Sequence, residues 1–392
     1  MRPLEGITII EMSTMITASL AAMMAAEQGA RVIKVEPLDQ GDPMRYIGSA
    51  KGGDSGLFAN CNRGKESINV DLKQAEGVAL VAHLARAADV LISNYRPGVL
   101  ERLGLGSETL RAANPGLIYV AISGFGTHGP MRSAPAYDPV VQAQAGVAAV
   151  QGLETPSFIR NLVCDKITAY TACQALTAAL FQRERSGGAG QHIDLSMLDS
   201  ALFFVFPDGF MNHTLLDEDV EQQPLLADLI YELTLTRDGA ITLSAATPKQ
   251  RDGVLRALGR EDLAADPRFA TLEALVANLP AYREELAAAF AGMETDALLE
   301  RLHAEDVPCA KCLSRDEVLA HPQVVANNTV ETAVHPRMGS MRRARLPARF
   351  QGEQLEPAGH SPAHGEHTRQ VLEGLGYSAA EIQRLAGARV IG

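Results

Sequence analysis

Over its first two hundred residues the chain alternates short apolar runs with longer stretches of helical periodicity. Ile7–Ile10, Arg31–Val35, Asp89–Ser93, Leu117–Ser123 and His192–Leu195 have the length and β-branched content of strands. Between them Ser19–Gln28, Gln74–Ala87, Ser107–Ala113, Val140–Ala149 and Lys166–Arg185 read as helices. The alternation predicts an α/β fold: a Rossmann-like large domain with a mostly parallel sheet and helices on both faces. Ligands on such sheets sit beyond the carboxyl ends of the strands, in the strand-to-helix loops. The first of these loops, Met12–Ser19, contains no glycine. A dinucleotide fingerprint is therefore absent, Gly104-Leu105-Gly106 alone does not replace it, and an NAD-linked oxidoreductase is disfavoured.

Beyond Asp199 the pattern changes. Phe203–Phe206, Pro207 and the acidic Asp217–Gln223 read as a bridging segment. A smaller α+β domain follows, with a strand pair Tyr231–Thr236 and Ala240–Ser244 around the turn Arg237-Asp238-Gly239. Its predicted helices are Lys249–Leu258, Tyr282–Phe290 and Thr295–Glu305. Val318 to Phe350, with its Pro, Arg and Asn, reads as a return linker. The tail carries a helix near Glu366–Leu375 and another beginning at the capping box Ser378-Ala379-Ala380-Glu381. The expected division is 1–205 for the first part of a large domain, 226–325 for an inserted small domain and 345–392 for the return to the large one. No repeat or low-complexity tract interrupts it.

The chain has 392 residues, 46% of them hydrophobic and 21% charged, which is ample for a sizeable core. Its formal net charge of −12 argues against nucleic acid or an anionic membrane surface as partner. Charge is unevenly spread, however. Arg31 to Arg102 holds ten Lys/Arg against nine Asp/Glu, so an anionic ligand is expected there. The five cysteines are scattered and odd in number, which fits reduced thiols in a cytoplasm; Cys309 and Cys312 form a single CxxC, a poor zinc site without a second pair. The apolar run Met12–Ala26 follows a strand and leads into another, so it reads as β-α-β and not as a signal peptide. No run approaches the roughly 20 apolar residues of a membrane span.

Asp165 stands out because it is the one acid in Leu162–Tyr170, at the mouth of a long apolar helix. Two readings are open. An N-cap would accept a backbone N–H and suit the positive helix end. A functional carboxylate would justify the expense of burying charge in apolar surroundings.

Several segments together carry a family resemblance. They are Gly29-Ala30-Arg31-Val32-Ile33-Lys34-Val35-Glu36-Pro37, Asn62-Arg63-Gly64-Lys65-Glu66-Ser67-Ile68-Asn69-Val70-Asp71-Leu72-Lys73, and Asn94-Tyr95-Arg96-Pro97-Gly98-Val99-Leu100-Glu101-Arg102-Leu103-Gly104. Ser123-Gly124-Phe125-Gly126, Ala136-Tyr137-Asp138, Gly190–Asp199, Asp266-Pro267-Arg268-Phe269 and Gly365-Glu366-His367-Thr368 complete the set. Nearly the whole chain resembles the class III CoA-transferases (the CaiB/BaiF family), which include formyl-CoA:oxalate and carnitine CoA-transferases and α-methylacyl-CoA racemase.

The resemblance implies an enzyme that moves CoA from an acyl-CoA thioester to a free carboxylic acid through an aspartyl anhydride and thioester, with Asp165 as nucleophile. It implies CoA as substrate and no tightly bound cofactor or metal, and an interlocked, ring-like homodimer. Contacts to CoA are expected at Thr17, Val70, Asp71, Leu72, Lys73, Asn94, Tyr95, Arg96, Arg102, Ala136, Tyr137 and Asp138. The cations among them suit phosphate, although each singly also reads as a solvated surface charge. Family members commonly carry Ala-Gly-Pro where this chain has Thr17-Ala18-Ser19, and oxalate enzymes a basic residue where it has Pro135. Their glycine run is Ser244-Ala245-Ala246-Thr247-Pro248 here, so oxalate is not the expected acceptor. The racemase branch is the main alternative. It has His where this chain has Tyr137, and a phenol with a pKa of about 10 is a poor base near neutrality. A non-catalytic CoA-binding protein would leave Asp165 unexplained.

Overall fold

The computed structural model describes residues 1–152, 155–224, 231 and 233–392. Its residues gather into two units, 1–207 with 326–392 and 208–325.

The first unit is built on six parallel strands: β1 (Thr8–Met12), β2 (Arg31–Glu36), β5 (Lys65–Asn69), β6 (Val90–Ser93), β7 (Ile118–Ser123) and β8 (His192–Ser196). A two-residue hairpin, β3 (Ala50–Lys51) with β4 (Asp54–Ser55), lies in the connection between β2 and β5. The six strands run in the order β5-β2-β1-β6-β7-β8. Chain order reverses at β1, with later strands added on both sides, and a crevice opens there beyond the carboxyl ends.

Helices cover both faces: α1 (Ile16–Glu27), α2 (Gly56–Asn62), α3 (Ala75–Ala87), α4 (Val99–Arg102), α5 (Ser107–Ala113), α6 (Asp138–Gln144), α7 (Val147–Gln151), α8 (Val163–Arg185) and α9 (Met197–Gly209). Ile9, Val32, Val90, Ile118 and Val120 pack toward α1 and α8, while Ile10, Ile33, Leu91 and Tyr119 pack toward α3, α5 and the C-terminal tail. Alternate residues of each strand thus enter two separate cores, as a sheet covered on both sides requires. α1 is buried along its whole length except at Leu20, which is why its sequence is apolar all round and lacks a helical stripe.

Several expectations need correcting. Lys65–Asn69 is a strand, unforeseen because Lys65-Glu66-Ser67 looks solvated; Lys65 is in fact buried against Glu11. α1 begins at Ile16 and not at Ser19, and β1 runs on to Met12. The helix expected over Val140–Ala149 is two helices, α6 and α7, parted where Gly146 takes φ +78°. Phe203–Phe206 is not a bridge but part of α9. Within the expected return linker, Val330–His335 and Gly339–Ala344 pair antiparallel around a short turn.

In the second unit Thr234–Leu235, Ala240–Leu243 and Cys309–Lys311 form a small antiparallel sheet. Helices Pro248–Leu258, Leu279–Ala291 and Thr295–Ala304 supply its core around Ile241, Val254, Leu298 and Leu302. Residues 226–230 of the expected small domain, and Glu232 of its first strand, lie outside the described residues. Of the tail, Thr368–Gly374 and Ala379–Gly387 are helical, and the capping box at Ser378 and Glu381 is formed. Among the described residues no helix is long and apolar enough to cross a membrane.

Candidate active site

The loop leaving β1 is fixed by two clamps. Asn94 accepts from the Thr14 amide at 3.1 Å and donates to the Thr14 carbonyl and the Thr17 hydroxyl at 2.6 and 2.9 Å. Asp42 accepts from the Met15 amide at 3.1 Å and is itself held by Lys34 at 2.9 Å. Met15 takes φ 62° and ψ −156°, a region that residues other than glycine rarely adopt and that costs about 1–3 kcal/mol. The strain is sustained by a buried ionic cluster: Lys34 and Lys65 each reach Glu11 at 2.6 Å. Burial alone would raise the Glu11 carboxyl, but the two ammonium groups override it and hold it well below the ordinary carboxylate range. Burial pulls Lys65 down to about 8 against the pull of Glu11.

α8 opens at the same place. Asp165 lies in its first turn, three residues past the N-cap Leu162, a residue with no side-chain cap bond to give. The cap comes from elsewhere. Asp138, fully buried at the start of α6, accepts from the Cys164 amide at 2.7 Å and the Asp165 amide at 3.1 Å; its other oxygen takes Gln142 Nε2 at 2.6 Å. Asp138 thereby satisfies two of the orphan amides of α8. The half-buried Asp165 carboxylate accepts no hydrogen bond from any described residue. Burial, reinforced by the nearby Asp138 charge and opposed by Lys166, raises Asp165 to about 7.

Asp165 opens onto a cavity of about 710 Å³ at the carboxyl edge of the sheet, lined by Thr14 and Met15 from the β1 loop, Thr17 at the start of α1, Asn94, Tyr95 and Arg96 from the β6 loop and Arg102 at the end of α4. The β7 loop adds Gly124, Arg132, Ala136, Tyr137 and Asp138. A Cβ on Gly124 would stand 2.2 Å from that of Ala136, so only glycine lets this loop fold back on itself. A second cavity of about 730 Å³ lies at the β2 and β5 ends, lined by Glu36–Gly41, Val70–Gln74 and Arg389. Tyr95 lines both.

The structure thus gathers the expected site residues into two adjoining places. Thr17, Asn94, Tyr95, Arg96, Arg102, Ala136, Tyr137, Asp138 and Asp165 share the first; Val70, Asp71, Leu72 and Lys73 share the second with Tyr95. Asn94 and Asp138 face inward to brace loops, and Asp71 turns to the Lys73 amide and Gln74. The positive excess over Arg31–Arg102 is largely internal: Arg31, Lys34, Arg45, Arg63 and Lys65 are each paired with a carboxylate. Arg96 and Arg102 are exposed at the cavity and form no ion pair among the described residues. Among the described residues no cluster of His, Cys, Asp and Glu could hold a metal ion, and all five cysteines are free.

The model of CoA-transferase family III matches residues 4–368. The chain belongs to that family. It is 30% identical to a succinyl-CoA–D-citramalate CoA-transferase of Chloroflexus aurantiacus over all of this chain and 98% of that one. A succinate–glutarate CoA-transferase of Agrobacterium fabrum is 34% identical, covering 95% of this chain and 96% of its own length. The crystal structure of a CaiB/BaiF family protein from Brucella suis superposes with a TM-score of 0.85 at 30% identity, covering 95% of this chain and 99% of that one.

Within this family III chain, sequence reasoning missed Met15, Asp42, Leu162 and Arg132. Nothing in the sequence marks Met15 as strained, since the signal is a positive φ at a residue that is not glycine. Arg132 was legible only as a basic residue six positions before Asp138, in a loop that the parallel sheet brings to its ligand edge.

Proposed function

We propose that the chain moves CoA from an acyl-CoA thioester to a free carboxylic acid by covalent catalysis on Asp165. The observation that carries this reading is the carboxylate itself: in a helix first turn, on the cavity, with its capping duty taken over by Asp138 and no hydrogen bond of its own among the described residues. A carboxylate stripped of hydrogen-bonded solvent is a stronger nucleophile than one in water.

In the proposed course an Asp165 oxygen attacks the thioester carbonyl carbon. The C–S bond breaks, CoA leaves as thiolate and a mixed anhydride remains. The thiolate attacks the aspartyl carbonyl, releasing the donor acid and forming an aspartyl-CoA thioester. The acceptor carboxylate then displaces CoA from that thioester, and the thiolate attacks the acceptor's carbonyl in the new anhydride. The products are the new acyl-CoA and free Asp165. Each tetrahedral oxyanion needs fixed donors. α1 opens on the cavity with no side-chain cap, and this reading assigns the role to its first-turn amides.

Lys73 and the second cavity suit the nucleotide end of CoA, and Arg96 and Arg102 suit its diphosphate, with the uncharged pantetheine arm passing Tyr95 toward Asp165. Tyr137 stands at the cavity where the racemase branch has its histidine, which favours transfer over α-proton abstraction. Relatives are named for acids as different as citramalate, glutarate and oxalate, so their names do not choose an acceptor. The free cysteines support a reducing, cytoplasmic setting. A homodimer is supported by large aromatic side chains left on the surface of α8 and α9: Tyr170, Phe181, Phe203 and Phe204 are 59–84% exposed.

The test is trapping. Enzyme incubated with acyl-CoA and then hydroxylamine should carry a hydroxamate on Asp165, located by peptide mapping. A label on another residue, or none under turnover, overturns the assignment.

A further inference from the structure

Asp165 is aimed by two things outside its own helix. One is Asp138, whose Oδ2 accepts from the Cys164 and Asp165 amides at 2.7 and 3.1 Å. The other is the irregular segment 155–162, which ends on Leu162, the N-cap of α8 and a lining residue of the main cavity. One side chain holds both. Gln142, 2% exposed on the second turn of α6, donates from Nε2 to the other Asp138 oxygen at 2.6 Å and to the Ile159 and Asn161 carbonyls at 3.0 and 3.2 Å. Its Oε1 accepts from the Ile159 amide at 3.0 Å, which fixes which way round the side-chain amide sits. Taking the N–H and the C=O of one residue together is what a neighbouring strand would do, so Gln142 lends an irregular segment a backbone-like partner. Gln142 is not itself among the residues that line the cavity.

We infer that Gln142 is a positioning residue for Asp165: it orients Asp138 and the lead-in to α8 together, and so sets the nucleophile against the thioester. The inference rests on the covalent reading above. α8 has no side-chain cap bond at Leu162, so the place of its first turn depends on what meets its amides and on what precedes it. Lys73, Arg96 and Arg102, assigned to the phosphates, stand on the connections after β5 and β6, away from α6. Loss of Gln142 therefore misplaces the reacting carboxylate and spares the grip on CoA, and a misplacement of about 1 Å costs roughly 100-fold in rate. The Ile159 and Asn161 carbonyls have second donors in the Asn161 and Val163 amides, so the loss falls on the Ile159 amide and on Asp138. Few charges surround Gln142: Asp138 on its own helix, Asp165 and Lys166 at the start of α8 and the exposed Arg160 on the lead-in. α7, which packs on α6, brings none, and the Cys164 thiol is pushed up to about 12 by burial and the two aspartates.

The test is isotope exchange between an acyl-CoA and its own labelled free acid, with whichever of acetyl-, butyryl- and succinyl-CoA the wild type exchanges fastest. Gln142→Leu should lower the exchange kcat about 10- to 100-fold, with KM for acyl-CoA within about twofold of wild type. Gln142→Glu keeps the shape of the side chain. Protonated, its carboxyl can donate to Asp138 as the amide does; ionised, it repels Asp138 and has no donor for either carbonyl. Buried beside an aspartate, that carboxyl releases its proton well above the ordinary carboxylate range. The kcat of Gln142→Glu relative to wild type should thus fall about tenfold or more from pH 6 to pH 9, while the Gln142→Leu ratio stays level. A purely structural role has no such pH signature, and if Gln142→Leu does not fold the Gln142→Glu profile decides alone. A flat profile, an unchanged kcat in Gln142→Leu, or a loss carried by KM overturns this inference alone. A wild type that neither exchanges label nor takes a hydroxamate on Asp165 refutes the transferase reading, and this inference with it.

Discussion

Replacing Asp165 with Asn keeps the shape of the side chain and removes its charge, and the structure fixes the sign of the change in stability. Burial and the Asp138 charge raise this carboxyl from an ordinary 3.8 to about 7. A rise of about three pH units at about 1.4 kcal/mol each is worth ~4 kcal/mol. Partial exposure screens some of that, leaving about 2–4 kcal/mol. Between about pH 4 and 7 the folded chain holds a proton that the unfolded chain has released. Stability therefore falls as pH rises through that window, and the full penalty is present above pH 7. Asp165→Asn should be more stable than wild type by about 2–4 kcal/mol at pH 8, while turnover falls by several orders of magnitude. The gain should shrink by more than half at pH 5. Denaturant unfolding of both proteins at the two pH values reads this directly. A helix-capping Asp165 predicts the opposite sign, a loss of about 1 kcal/mol on substitution. An Asn variant no more stable than wild type at pH 8 would refute the reasoning.

Asp138→Asn should lower the pH at which the acid limb of kcat/KM for acyl-CoA falls away, because the charge that helps raise Asp165 is gone; it should also cost about 1–3 kcal/mol, since the new amide cannot serve Gln142 and the α8 amides together. An unmoved acid limb would detach Asp138 from the site. Arg96→Ala or Arg102→Ala should weaken acyl-CoA binding by about 1–3 kcal/mol each, and less for a pantetheine thioester lacking the nucleotide. Equal losses for both ligands would make them scaffold residues. A 2-methylacyl-CoA held with the enzyme in heavy water should keep its α-hydrogen; rapid deuterium entry, independent of any acceptor acid and lost in Asp165→Asn, would establish the racemase reading instead.

The sheet was legible where strands are apolar and hidden where they carry structural charge. Val90–Ser93 and Ile118–Ser123 announce themselves by composition, whereas Lys65–Asn69 looks like a solvated loop because its lysine has a partner 54 residues away in Glu11. Local sequence cannot show such pairing. The same holds at α1, which starts three residues before Ser19, after a Met15 whose glycine-like backbone is held by long-range contacts, Asp42 at its amide among them. The motifs around Asn94–Arg102 and Ala136–Asp138 reached the cavity as expected, because strand-to-helix loops of a parallel sheet converge on one edge. What each side chain does there was not legible. Asn94 and Asp138, expected as CoA contacts, line the cavity and also brace backbone.

The two carboxylates of the site differ in hydrogen bonding more than in burial. Asp138 is the deeper, yet it accepts three N–H groups, two of them from the helix end whose partial positive charge favours an anion. Its lone pairs are committed, and attack on an acyl carbon would leave those donors unsatisfied at a cost of about 1–3 kcal/mol each. Asp165, in the first turn of the same helix, has its amide held by Asp138 and its carboxylate without a donor among the described residues. Repulsion from Asp138 adds to burial in destabilising its ionised form. In the proposed covalent course, forming a bond to an acyl carbon would remove that charge and relieve what the resting site imposes. Sequence alone offered Asp165 as the acid at a helix mouth and Asp138 as an expected CoA contact. The division of labour follows from which of them the α8 amides face.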